Sequence, residues 1–133
     1  MKSQPFQVLV VVSNAESDGS EGHDRSSIAL PSDQMSMASA VLVAVSKQHS
    51  TRVALLMING GVIALDSLAD AAPAILETFM PGVYGAQAVA ETIWGQNVPG
   101  GKLPVTMYFS NYTKGCSIDD MSMQACGGRS CRF

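Results

Sequence analysis

FQVLVVV, residues 6–12, is an unbroken run rich in β-branched side chains. Such a run suits a strand buried on both faces, as a parallel sheet requires. Downstream, VALLMI at 53–58 repeats the signal and stops at Asn59-Gly60-Gly61, where glycine permits a tight exit. Between the two runs, Pro31-Ser32 introduces Met35, Ala38, Leu42 and Val45 at helical spacing, with Ser32 expected to cap the first turn. A weaker third strand is expected over Ile75–Met80, closed by Pro81-Gly82. A helix over Tyr84–Trp94 would turn Ala86, Val89, Ala90 and Ile93 to one face, with Gly95 as its C-terminal cap. Leu103–Phe109 reads as an extended edge segment, because Pro104 cannot donate to a central ladder. Strands alternating with helices imply right-handed βαβ units. The predicted class is α/β, a mostly parallel sheet with helices on both faces.

The totals bound the rest. A chain of 133 residues is one ordinary domain, and 47% apolar with 14% charged residues is a globular composition. The net charge of −3 and eight scattered Lys and Arg residues disfavour a nucleic-acid partner. No apolar run approaches the ~20 residues of a membrane span, and the short N-terminal run is no secretory signal. Cys116, Cys126 and Cys131 lack the C-x-x-C spacing of a zinc or redox site, leaving free thiols or one tail disulfide open.

Chemistry concentrates in one connection. The segment from Ser13 to Pro31 leaves the carboxyl end of the first strand, where ligands collect in α/β sheets, and it exceeds the usual loop length. It contains AESDGSEGHDR at 15–25, with four carboxylates, a His and an Arg. Mutual repulsion among Glu16, Asp18, Glu21 and Asp24 can keep one carboxyl protonated, hence a general acid; the same residues also read as solvated loop charges with Arg25 as local partner. His23 beside Glu21 and Asp24 lacks the fixed spacing of a metal motif, and no metal or cofactor is assigned. GQNVPGGKL at 95–103 departs from a phosphate loop in glycine spacing and in Leu103, and GRSCR at 128–132 fails the nucleophile elbow. His49 reads as a cation at a helix C-terminus.

In order along the chain, EGHDR at 21–25, LP at 30–31, INGG at 58–61, MPGVYGAQAVAETIWG at 80–95 and NVPGGKLPVT at 97–106 resemble the C-terminal sandwich domain of family 3 glycoside hydrolases. DMSM at 120–123 and GGRSCRF at 127–133 are similar to the closing segment of its β-xylosidase and β-glucosidase branches, although Cys131 stands where an aromatic residue is common. The resemblance implies a three-layer, flavodoxin-like sandwich truncated on its N-terminal side. It assigns residues 1–112 to a partial family 3 C-terminal domain and 113–133 to an irregular tail.

The resemblance further implies hydrolysis of β-linked oligosaccharides or glycosides, the acid/base Glu on a loop of the sandwich and an Asp nucleophile on an N-terminal barrel. Retaining hydrolysis needs two carboxyl groups ~5–5.5 Å apart. By motif match the acid/base residue is Glu21, with Glu16 as runner-up; His23, Asp24 and Arg25 bind or shape the loop. The barrel is missing from this chain, so no nucleophile is assigned and the chain alone is expected to be inactive. Family members are often extracellular. Loss of earlier strands should also leave an apolar sheet edge. The alternatives are a non-catalytic carbohydrate-binding or interaction module, and a small α/β regulator holding magnesium through Asp18 and Asp24.

Overall fold

The computed structural model describes residues 7–14, 21–22, 25–48, 51–118, 120–122 and 124–125. Its elements run β1 (Gln7–Ser13), α1 (Ser32–Ser46), β2 (Arg52–Ile58), α2 (Ser67–Ala71), β3 (Ile75–Glu77), α3 (Gly85–Ile93) and a 3-10 turn over Ser110–Lys114. The class is α/β, as the sequence predicts. The three strands form one parallel sheet in the order β1-β2-β3.

That order dictates where the helices go. Successive right-handed crossovers that advance in one direction put their helices on the same face. Accordingly α1 and α2 share one core: Ala38, Leu42 and Val45 of α1 and Leu68 of α2 pack with Val10 and Val12 of β1 and Val53, Leu55 and Met57 of β2. The register sets Val10 beside Leu55 and Val12 beside Met57, so the same side of both strands is buried. Each fully buried aliphatic side chain contributes about 1.5–3 kcal/mol.

The opposite face corrects the expectation that the first strand is buried on both sides. Leu9 and Val11 are 41% and 44% exposed. The physical reason is that β1 is the outer strand among the described residues, and α3 stands over the second face without closing on it. An open groove of about 720 Å³ remains there, lined by Leu9, Ala54 and Leu76 of the sheet and Ala86, Val89 and Ile93 of the helix.

Other expectations need amendment. α1 begins at Ser32 itself, its N-cap is Pro31, and no side chain caps it; the carbonyl of Pro31 accepts from Met35 N at 2.9 Å. β3 ends after three residues because the backbone turns at Phe79, which adopts φ 49°. Residues 103–109 form no strand, since Pro104 supplies no donor and the outer edge of β3 offers only three residues to pair. Gly95, at φ 72°, does close α3 as expected, and its N–H donates to Thr92 O. His49 lies outside the described residues.

Candidate active site

The carboxyl ends of the three strands meet at one rim. At β1, Ser13 N–H donates to Gln34 Oε1 of α1 at 2.7 Å, and Asn14 Oδ1 accepts from Gly60 N–H at 3.2 Å. The departing arm of the long connection is therefore tied to α1 and to the turn after β2. Its returning arm is tied as well. Ala29 bridges Ala64 in parallel, Ala64 N–H donates to Ile28 O at 2.7 Å, and Ile28 and Leu30 are buried.

Between these arms lies the predicted site. Glu21 is exposed, on a turn that Gly22 completes at φ 80°, a conformation glycine adopts without steric cost. Arg25 is half-buried, and its guanidinium lies so close to Gly61 that a Cβ there would stand 3.1 Å from Nη2. Arg25 also faces a cavity of about 530 Å³ lined by Val105, Tyr108, Tyr112 and Cys116. The two tyrosine rings stack with centroids 4.1 Å apart, and Cys116 is buried and disulfide-bonded. Glu16, Asp18, His23 and Asp24 lie outside the described residues, as do Cys126 and Cys131.

Two residues that sequence reasoning passed over complete the rim. Asn59 follows β2 and is fully buried; its Nδ2 donates to Gly61 O at 2.5 Å and its backbone N–H to Phe79 O at 3.2 Å. Glu77 ends β3, and its Oε1 accepts from Phe79 N–H at 2.8 Å. Burial pushes the Glu77 carboxyl above its ordinary range, opposed in part by the N–H of Phe79, the Asn59 amide and the N–H of Thr78. A carboxylate inside the apolar stretch AILETF was the available signal. Glu77 also faces a second cavity, of about 710 Å³, whose walls are mostly apolar with Asp66 and Lys102 at the margin.

This arrangement can present one carboxyl to solvent, at Glu21, from a connection fixed at both arms. Glu77 is a different kind of group, held inside the sheet end by a backbone bond. Among the described residues, no three His, Cys, Asp or Glu side chains gather as a metal-ligand set, and no helix is long and apolar enough to cross a membrane.

Comparison with known proteins agrees with the motif reading. The family described as "Glycosyl hydrolase family 3 C-terminal domain" matches residues 2–124. A "Xylan 1,4-beta-xylosidase" of Xylanibacter ruminicola is 37% identical over 116 residues, covering 87% of this chain and 12% of that protein. "Probable beta-D-xylosidase 6" of Arabidopsis thaliana is 37% identical over 125 residues, covering 92% of this chain and 15% of the relative. A "Periplasmic beta-glucosidase" of Salmonella typhimurium is 31% identical over 99 residues, 74% of this chain and 12% of its own length. No solved structure gave a significant match. The chain thus spans less than a fifth of the length of these relatives, which contain a large region that it does not. With the ordered motifs, the parallel sheet and the family match in agreement, the chain belongs to glycosyl hydrolase family 3, within its C-terminal domain.

Proposed function

We propose that this chain supplies the acid/base loop of a retaining β-glycosidase acting on terminal β-xylosides or β-glucosides, with the nucleophile on a barrel domain outside it. The observation that carries the reading is Glu21, a solvent-facing carboxyl on a turn of the connection whose two arms are pinned at the strand rim. The names of the relatives support the substrate class.

In the first half of the reaction a barrel carboxylate attacks the anomeric carbon as the Glu21 carboxylic acid protonates the departing glycosidic oxygen. In the second half the Glu21 carboxylate takes a proton from water. That water attacks the glycosyl–enzyme bond, the sugar leaves, and both carboxyls return to their starting states. Asp24 and Arg25 shape the loop, and Glu16 is the second candidate for the acid/base role. Without the barrel half of the pair, the chain alone does not turn over substrate.

The test is complementation. The chain is assayed on aryl β-xyloside and β-glucoside alone and with a family barrel domain, and Glu21→Gln and Glu16→Gln are compared. Activity only in the mixture, lost in Glu21→Gln, is the expected result. Turnover by the lone chain at the rate of the mixture would overturn the two-domain requirement, and loss in Glu16→Gln alone would move the role to Glu16. Sugar binding by the mixture without hydrolysis would favour the non-catalytic module.

A further inference from the structure

A retaining glycosidase holds its acid against the oxygen that departs, while the attacking carboxylate faces the anomeric carbon. The chain that carries the acid is therefore the chain that meets the leaving group. The cavity of about 530 Å³ is placed for that role, because Arg25, four residues beyond Glu21 on the same connection, forms part of its lining. Its size falls within the ~300–1,000 Å³ of ordinary small-molecule sites.

The lining decides what kind of leaving group fits. Ile28, Val62, Pro104 and Val105 supply an apolar surface, and Tyr108 and Tyr112 add a stacked aromatic pair, centroids 4.1 Å apart and rings 19° from parallel. A sugar ring carries hydroxyls around its whole edge, and burying them against such side chains leaves several without partners, which is costly. An aromatic ring has no such groups and extends a stack. Arg25 is the one charged side chain among the described residues of the lining, and it is a cation. A guanidinium facing an apolar, aromatic cavity complements a flat molecule with negative charge on one oxygen, as a phenolate has. The wall is fixed without help from a ligand. Tyr112 N–H donates to Phe109 O at 3.0 Å, Thr113 Oγ1 to Ser110 O at 3.0 Å and Ser110 N–H to Asp66 Oδ1 at 2.8 Å, and Cys116 is buried and disulfide-bonded.

We propose that this cavity is the leaving-group subsite for a phenol: the ring lies against the Tyr108–Tyr112 pair and the Arg25 guanidinium holds the phenolic oxygen. The inference rests on the reading of Glu21 given above and narrows the substrate class to aryl β-glycosides. In the step it serves, the bond from the anomeric carbon to the phenolic oxygen breaks and its electron pair stays on the oxygen. Glu21 gives that oxygen its proton, and the barrel carboxylate forms the new bond to carbon. Arg25 stabilises the negative charge that the oxygen carries while the proton is in transit.

Amide chemical shifts of the full chain are followed as 4-nitrophenolate, nitrobenzene or xylose is added, at a pH where the phenol is ionised. 4-Nitrophenolate should shift residues 25–28 and 104–118. It should bind about tenfold more tightly than nitrobenzene, the scale of one hydrogen bond to a charged group. Arg25→Gln should erase that preference while nitrobenzene still binds the cavity, a split that general loss of structure would not give. Val105 is 46% exposed, so Val105→Ala trims the lining at a position outside the core; it should weaken both aromatic probes by about fivefold to tenfold. Xylose shifting the same residues at lower concentration than 4-nitrophenolate would overturn the phenol assignment. So would equal binding of the two aromatic probes, or binding untouched by Val105→Ala. With the barrel domain added, Val105→Ala should lower the ratio of kcat/KM for 4-nitrophenyl over methyl β-xyloside by the same factor, and an unchanged ratio would overturn the leaving-group role. The binding measurements need no turnover, so failure of the Glu21 assignment shows in the mixture and failure of the subsite shows in the shifts.

Discussion

The guanidinium of Arg25 rests on Gly61, within 3.1 Å of the position a Cβ would take. This contact joins the returning arm of the acidic connection to the turn after β2, and a Cβ at position 61 would crowd the guanidinium. Gly61→Ala should move Arg25 by a few tenths of an ångström and cost about 1–2 kcal/mol, as crowding of a fitted contact does. Chemical denaturation of the variant checks the cost. Trypsin cleavage after Arg25, faster relative to cleavage after Arg52, checks the displacement.

Gly85 makes a stronger prediction. A Cβ there would stand 2.5 Å from Pro81 Cβ and 2.6 Å from its Cγ, distances that two carbons cannot sustain. Gly85→Ala should therefore shift the start of α3 away from Pro81 and destabilise the chain by about 2–3 kcal/mol. Gly82→Ala, where nothing lies within 4 Å, meets no such obstacle and differs only through its φ of 68°. Thermal unfolding of the two variants should rank Gly85→Ala as the less stable.

Stability should also depend on pH through Glu77. Burial raises its folded-state affinity for the proton above the ordinary value of 4.5, so the folded chain binds more protons than the unfolded chain over the interval between. Stability from this source is complete below pH 4.5 and is lost as pH rises through the raised value. Glu77→Gln should match the unsubstituted chain at pH 4 and exceed it at pH 8. Urea midpoints at the two pH values read the difference.

Cys116 is buried and disulfide-bonded, so reduction should destabilise the chain by about 2–4 kcal/mol. The measurement is the unfolding midpoint with and without a thiol reductant. Cys116→Ser should lower the midpoint to the reduced value and abolish the response to reductant.

With the barrel domain present, Glu21→Gln should lower kcat about 10²- to 10⁴-fold. The loss in the first, sugar-transferring step should be smaller for a dinitrophenyl glycoside than for an alkyl one, because a good leaving group needs less protonation. A series of aryl glycosides, followed before the steady state, checks this.

The fold was legible wherever a local pattern and a tertiary demand coincide. VALLMI is a buried strand because its position between β1 and β3 needs one, and Gly95 stops α3 because a left-handed residue closes a helix. α2 was missed since five residues hold too little of a helical period to be seen. The exposed side of β1 was misread for a different reason. A run of valines reports affinity for a strand, whereas burial of each side depends on what lies opposite, and α3 does not close over Leu9 and Val11. At the candidate site, the ordered motifs marked Glu21 and Arg25. Asn59 and Glu77 escaped because they meet across 18 positions of sequence, the difference of their residue numbers, and no periodicity encodes that meeting.

The order β1-β2-β3 leaves the backbone of β1 with a free row of donors and acceptors on its outer side among the described residues, beside the greasy pair Leu9 and Val11. Concentrated stocks of this polypeptide should therefore zip laterally, flank to flank, and sediment faster than a 13.9 kDa particle. A synthetic peptide able to add itself as a fourth rung, offered in excess, should restore the slower species.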